Sequence, residues 1–260
     1  MFPALLSGIR SLRVSLVTGA ILVGSIYIFI YDLLVNAIAV RQSARSLFEI
    51  SSYMPIILII FLCVTVGSLY TTLLEGIVDR LHRKTVHREI VGKSPLWERI
   101  ILRSFLPYSD SARKRLVEEV VRFYREYSSH DESENSREEK FVEKVLIETL
   151  WMEGKLAGTA LESPYDKIRS EGEMRVSSGL LLPVASAAGA HSVFGSNFHL
   201  AVSLLGGVFV AVPMVNYGLY YYRKANSFLA HHIADGKLLA PSMETLKRSK
   251  AKLLIANKDG

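Results

Sequence analysis

The chain holds one cysteine in 260 residues, Cys63. That excludes an intramolecular disulfide and a cysteine-rich zinc site, and within its apolar run Cys63 reads as a small packing residue. Charge is missing as well: from Val176 to Tyr222, 47 residues in a row, there is no Asp, Glu, Lys or Arg. Two other stretches are nearly as bare. The 27 residues between Arg13 and Arg41 carry one charge, Asp32, and the 25 between Glu49 and Glu75 carry none. No strand alternation, low-complexity tract or internal repeat is visible. None of the seven histidines sits in an HExxH, a nucleophile elbow or a phosphate loop. No catalytic residue, metal ligand or cofactor is therefore expected. Basic residues are not interleaved with aromatics on one face, which argues against nucleic acid as a partner.

What is present is apolar and concentrated. Half the residues are hydrophobic and 22% are charged, with a mean hydropathy of +0.25. A soluble core would spread its apolar residues with helix or strand periodicity, whereas these lie in blocks. A bilayer core about 30 Å thick takes roughly 20 apolar residues in helix. The first two blocks each supply one span, about 14–34 and 52–75. The third is long enough for two, about 176–192 and 198–221, with "HSVFGSNFH" between them as the turn of a hairpin (Gly195, Ser196 and Asn197 are good turn formers). The fold class expected is all-α: an integral membrane protein with four transmembrane helices in two hairpins and a small helical cytoplasmic domain inserted between them.

Lys and Arg set the orientation. Arg10 and Arg13 precede the first span, 19 basic residues lie in 75–175, and eight follow Tyr222. The other side has Arg41 and Arg45 alone. Both termini and residues 76–175 are thus expected in the cytoplasm, at the cell (plasma or inner) membrane. Four segments follow: 1–91, with the second span continuing as helix to about Gly92; a cytoplasmic helical domain 92–163; a second hairpin 164–222; and a basic tail 223–260. In "SPYDKIRSEGEMR", Ser163 suits a helix N-cap and Pro164 the first helical position, with Glu171 and Arg175 paired one turn apart.

Inside the cytoplasmic domain, "SPLWERIILRSFLP" from Ser94 makes an apolar stripe, for which membrane surface and neighbouring helices are equal alternatives. From Asp110 to Ser128, Leu116, Val120, Phe123, Tyr124 and Tyr127 share one face. A flexible loop is expected over 128–137, and helix again from about Glu138, with Phe141, Val142, Val145, Leu146, Leu150 and Met152 for burial. The tail adds "PSMETLKRSKAKLLIANK". There Lys247, Arg248, Lys250 and Lys252 each stand to gain about 1 kcal/mol near anionic lipid headgroups, though a plain solvated tail explains them equally.

Candidate polar or hinge residues in the spans are few. Asp32 lies about 18 residues into the first span, near the far interface. Gly206, Gly207, Pro213 and Asn216 interrupt the last span, the glycines allowing close helix approach and the proline a kink. "SSGLLLPVASAAGA" is rich in small residues suited to a tight helix interface. These features lead to an expected non-enzymatic role, an oligomeric pore or channel-like effector controlled by cytoplasmic helices. The expected partners are the bilayer and copies of the chain. A membrane scaffold or adaptor docking a cytoplasmic protein is the alternative. A lipid-modifying enzyme is the third reading, with Asp166, Arg169, Glu173, His231, His232 and Asp235 as its local pool.

Overall fold

The computed structural model describes the backbone of residues 2–36, 54–91, 105–128, 135–156, 158–194 and 197–256. Side chains are described over 12–29, 56–86, 105–128, 136–156, 158–194 and 197–252. Eight helices appear among the described residues: α1 (Phe2–Asn36), α2 (Met54–Val91), α3 (Asp110–Tyr127), α4 (Asn135–Thr149), α5 (Glu153–Leu156), α6 (Glu162–Phe194), α7 (Asn197–Ala234) and α8 (Pro241–Ala256). No strand occurs among those residues. The chain divides into two compact units, Met1–Ile77 with Ser170–Leu219 and Val78–Arg169 with Tyr220–Gly260. Trp97, Ile100 and Ile101 of the stripe at Ser94 lie outside the described residues, as do Gly195 and Ser196 of the expected turn.

The first unit is a bundle of apolar helices. Four helices, α1, α2, α6 and α7, are long and apolar enough to cross a membrane. Their contacts are made by small residues. A Cβ added to Gly19 on α1 would come within 1.7 Å of the Cys63 carbonyl oxygen on α2, and one on Gly67 within 1.8 Å of the Ser15 carbonyl oxygen. Backbone therefore meets backbone at Ser15–Gly19 and Cys63–Gly67, two small-xxx-small pairs that face each other. The numbers rise on one helix as they fall on the other, so α1 and α2 are antiparallel. The same holds for α6 and α7. Gly207 packs on Ser186 and Pro183, Gly179 on Val215, and Gly218 on Val176 and Gly172. Between α1 and α6 the direction is shared: Thr18 Oγ1 meets Ser177 Oγ at 3.2 Å, and the rings of Phe29 and His191 are 5.8 Å apart.

Helix α6 is the most enclosed of the four, with Val176, Ser177, Ser178, Leu181, Ala187, Ala188 and Ala190 buried. By contrast every residue from Ile56 to Leu62 on α2 is exposed, as are Phe198, Val202, Leu205 and Phe209 on α7. Pro183 lies inside α6. It has no N–H to offer the Gly179 carbonyl. One turn on, the Ser186 hydroxyl lies 3.0 Å from the Pro183 carbonyl and 2.8 Å from that of Ser203 on α7.

The start of α6 differs from the expectation at Ser163. Glu162 is the first helical residue, and the Leu161 carbonyl accepts the first helical bond from the Tyr165 N–H at 3.2 Å. A left-handed turn at Gly158 (φ 76°) and the Glu162 carboxylate, which accepts the Gly158 N–H at 2.7 Å, wind the chain into helix early. Pro164 then falls third in the helix, still within the first turn, where no intrahelical N–H is required.

The second unit has a conventional apolar core. Ser109 caps α3, its side chain accepting from the Ala112 N–H, and Ala112, Leu116, Val120, Phe123 and Tyr124 line the buried face. Val145, Leu146, Met152, Leu156, Leu229, Ile233 and Met243 complete that core from α4, the turn that follows it, α5, α7 and α8. Helix α4 begins at Asn135, so residues 135–137 of the expected loop 128–137 are helical. The Glu138 carboxylate in its first turn holds the Arg125 guanidinium at 3.1 and 3.2 Å, which anchors the start of α4 to the end of α3.

At the other end α4 tightens, with the Leu150 N–H turning to the Ile147 carbonyl at 3.1 Å. The Tyr108 hydroxyl donates instead to the Leu146 carbonyl, at 2.6 Å. Burial pushes the Tyr108 phenol far above its usual range, so it remains a donor. The tail helix α8 packs on α3 and α4. Its N-terminus is capped from a distance by Glu148, whose carboxylate accepts the Ser242 N–H at 2.8 Å and the Ser242 hydroxyl at 2.5 Å. Middle segment and tail thus belong to one folded body.

Candidate functional site

Beyond Glu75 the sequence of α2 turns polar, with Asp79, Arg80, His82, Arg83 and Lys84 following in close order. Two of these face inward in the second unit. His82 is 2% exposed, and the Asp79 carboxylate lies 3.8 Å from Arg169 of α6, itself 7% exposed. The Arg169 guanidinium stacks over the ring of Tyr222 on α7, 4.4 Å from its centroid. The Tyr222 ring meets His82 edge to face, with centroids 6.2 Å apart. Next along α7, the Arg223 Nε donates to the Leu106 carbonyl at 3.1 Å. One helical turn past Tyr222 is Asn226, 1% exposed, and neither Oδ1 nor Nδ2 of its amide has a hydrogen-bond partner among the described residues.

The electrostatics of this cluster favour an uncharged imidazole. Burial first, then the positive charges of Arg169 and Arg223, push the His82 pKa from 6.5 down to about 3. The carboxylate of Asp79, one turn before His82 on α2, lies 3.8 Å from the Arg169 guanidinium. Buried polar networks of this kind gain strength from low local dielectric and are correspondingly sensitive to one added charge.

A second polar feature lies on α2 within its apolar run. Thr65, Ser68 and Thr72 occur at i, i+3 and i+7 and are all exposed. The contact residues Cys63 and Gly67 are buried on the opposite face. Thr65 Oγ1 donates to the Phe61 carbonyl at 2.9 Å and Thr72 Oγ1 to the Ser68 carbonyl at 2.8 Å.

The residues singled out from sequence are distributed as follows. Asp32 has its backbone in α1, and its side chain lies outside the described residues. Of the paired glycines, Gly207 makes the close contact, while a Cβ on Gly206 would meet nothing within 4 Å. Pro213 lies inside α7. Asn216 lines an apolar groove between α6 and α7 of about 300 Å³, with Leu180, Pro183, Val208 and Val212.

In the tail, Lys247, Arg248 and Lys252 are exposed. Lys250 instead donates to the Glu126 carbonyl in the last turn of α3 and sits 5.1 Å over the Tyr127 ring. Glu171 and Arg175 pair at 3.6 Å. His231 and Asp235 do not form a pair: the Asp235 carboxylate accepts from Arg115 at 2.8 Å, and His231 Nδ1 is buried without a partner among the described residues. No group of three or more His, Cys, Asp or Glu placed to hold a metal occurs among the described residues.

Sequence reasoning missed Gly19, Gly67, His82, Tyr222 and Asn226 as a set. The small-xxx-small spacing of Ser15–Gly19 and Cys63–Gly67 was a readable signal. For the polar cluster the signal was weaker: polar residues one turn apart on helices that continue past apolar blocks. The arrangement defines a helical protein with four candidate membrane spans and a separately packed helical unit. No protein-family model, curated protein or solved structure matches the chain.

Proposed function

We propose that this chain crosses a membrane four times, keeps both termini and residues 76–175 in the cytoplasm, and assembles with copies of itself into a pore or channel-like effector controlled by its cytoplasmic helices. The reading is carried by the hydroxyl strip of Thr65, Ser68 and Thr72, exposed on α2 and turned away from the α1 contact. In a lone chain that strip would face lipid tails. Between copies it would face a lumen. The two threonines spend their hydrogens on their own helix, which leaves oxygen lone pairs to meet water or a hydrated cation.

Backbone contacts at Gly19, Gly67 and Gly207 close α1 on α2 and α6 on α7, so a water path within either helix pair has no room. The excess of Lys and Arg supports the stated orientation. Lys247, Arg248 and Lys252 are the tail residues open to anionic headgroups.

The test combines mass with accessibility. The full chain in lipid nanodiscs should form a closed ring of four or more copies. With Cys63 replaced by serine, cysteines at positions 65, 68 and 72 should react with a charged thiol reagent, and one at Ile59 or Leu73, exposed on other faces of α2, should react far more slowly. A monomer or dimer, or a strip as inert as its apolar neighbours, sinks the pore reading.

An adaptor is the second reading, favoured by a groove of about 270 Å³ between α3 and α4. Val117, Val121 and Val142 form its floor, with Arg113, Glu138 and Glu139 around it. Recovery of a stoichiometric partner from native membranes, lost on Val121→Arg, would support it.

A further inference from the structure

We infer that His82 is an acid-sensitive latch: protonation of its buried ring unfastens α2, α6 and α7 from one another within the second unit, while the α3–α4–α8 core stays folded. Among the described residues, charged and aromatic groups near it come from three helices. Helix α6 supplies Arg169, α7 supplies Tyr222 and Arg223, and α2 itself supplies Asp79, whose charge is already engaged by Arg169 at 3.8 Å.

The ring is 2% exposed, so a proton that arrives there cannot be solvated without opening the layer. It would also add a positive charge near the guanidiniums of Arg169 and Arg223. The Tyr222 ring is shared, with Arg169 over its face and His82 at its edge, so displacing His82 also disturbs the contact that ties α6 to α7. Asn226, buried one turn on with no hydrogen-bond partner for its amide among the described residues, adds a polar group that gains hydrogen bonds as soon as water enters. The α3 face that anchors the remaining core, Leu116, Val120 and Phe123, is apolar and has no such response.

The direction of the pH dependence follows from linkage. The closed state holds His82 near 3, below the 6.5 of a free imidazole, so the open state binds the proton more tightly. Stability of the closed layer is complete above about pH 6.5 and declines as the pH falls towards 3. Between pH 8 and pH 5 the closed-to-open ratio should fall by roughly thirtyfold.

Hydrogen exchange of the full chain in nanodiscs reads this directly, after correction for the intrinsic pH dependence of exchange, and needs no assumption about transport. Protection of residues 78–86 and 220–227 should drop by that factor from pH 8 to pH 5, with residues 112–123 changing little. His82→Gln, which cannot take the proton, should abolish the drop. Equal protection at both pH values in the wild type, or an undiminished drop in H82Q, overturns the latch. If H82Q fails to fold, His82→Leu, an apolar side chain suited to the buried position, serves in its place. That leucine also cannot take the proton, so the drop should be lost there too, and a drop of unchanged size overturns the inference.

Discussion

At the scale of single residues, glycines that look alike in the sequence have unlike roles. Gly19 and Gly67 admit the backbone of the opposing helix, because a Cβ there would lie under 2 Å from a carbonyl oxygen. Gly24 and Gly206 face open space, with no atom within 4 Å of an added Cβ. Alanine at Gly19 or Gly67 should therefore force α1 and α2 apart and lower stability by about 1–3 kcal/mol, as overpacking does. Alanine at Gly24 or Gly206 should be neutral or stabilising by up to about 1 kcal/mol, through helix propensity alone. Thermal unfolding of the four variants in one detergent compares them. Equal effects at all four positions would mean that the backbone contact between α1 and α2 does not form.

At the scale of elements, helix ends in the second unit are held by residues far away in sequence. Helix α8 starts with Pro241 at its first position, a local signal, yet its free N–H groups are met by Glu148 of α4. A carboxylate at that end also complements the helix dipole. Glu148→Ala should loosen α8 by about 1–2 kcal/mol and speed proteolysis at Lys247 and Arg248, leaving α3 intact. Unchanged cleavage would show that apolar packing by Met243 suffices. Lys250 and the Lys155–Glu244 pair, at 2.7 Å, are further ties, but both are largely exposed and contribute less.

At the scale of the whole molecule, packing of α8 on α3 and α4 joins the middle segment and the tail in one folded body, and with the four crossings proposed above both would lie on the same side of the membrane. A chain with Cys63 replaced and a cysteine at Ser111 or at Ser249, both exposed, should label with an impermeant maleimide from the same side. A cysteine at His199, at the far end of the proposed second hairpin, should label from the other. Labelling of positions 111 and 249 from opposite sides is incompatible with the folded second unit. Helices α1 and α2 run antiparallel, as do α6 and α7, and α1 and α6 run the same way.

Block composition alone determined that the chain is helical and has four segments apolar enough to span a bilayer, because uncharged runs of that length have few other stable environments. Periodicity likewise marked the buried face of α3, since Leu116, Val120 and Phe123 repeat at helical spacing. Tertiary structure alone decided which small residues are contacts, which helix starts early, and which charges meet. Gly207 and Gly206 are chemically identical and adjacent; only the position of Ser186 and Pro183 tells them apart. Lys250 belongs to a basic run in sequence, but the Glu126 carbonyl and the Tyr127 ring claim it. Asp79, His82, Arg169, Tyr222 and Arg223 come from three helices separated by long stretches of chain. Their effect on one another depends on distance in space, and that is a property of the packed helices that no local pattern of residues encodes.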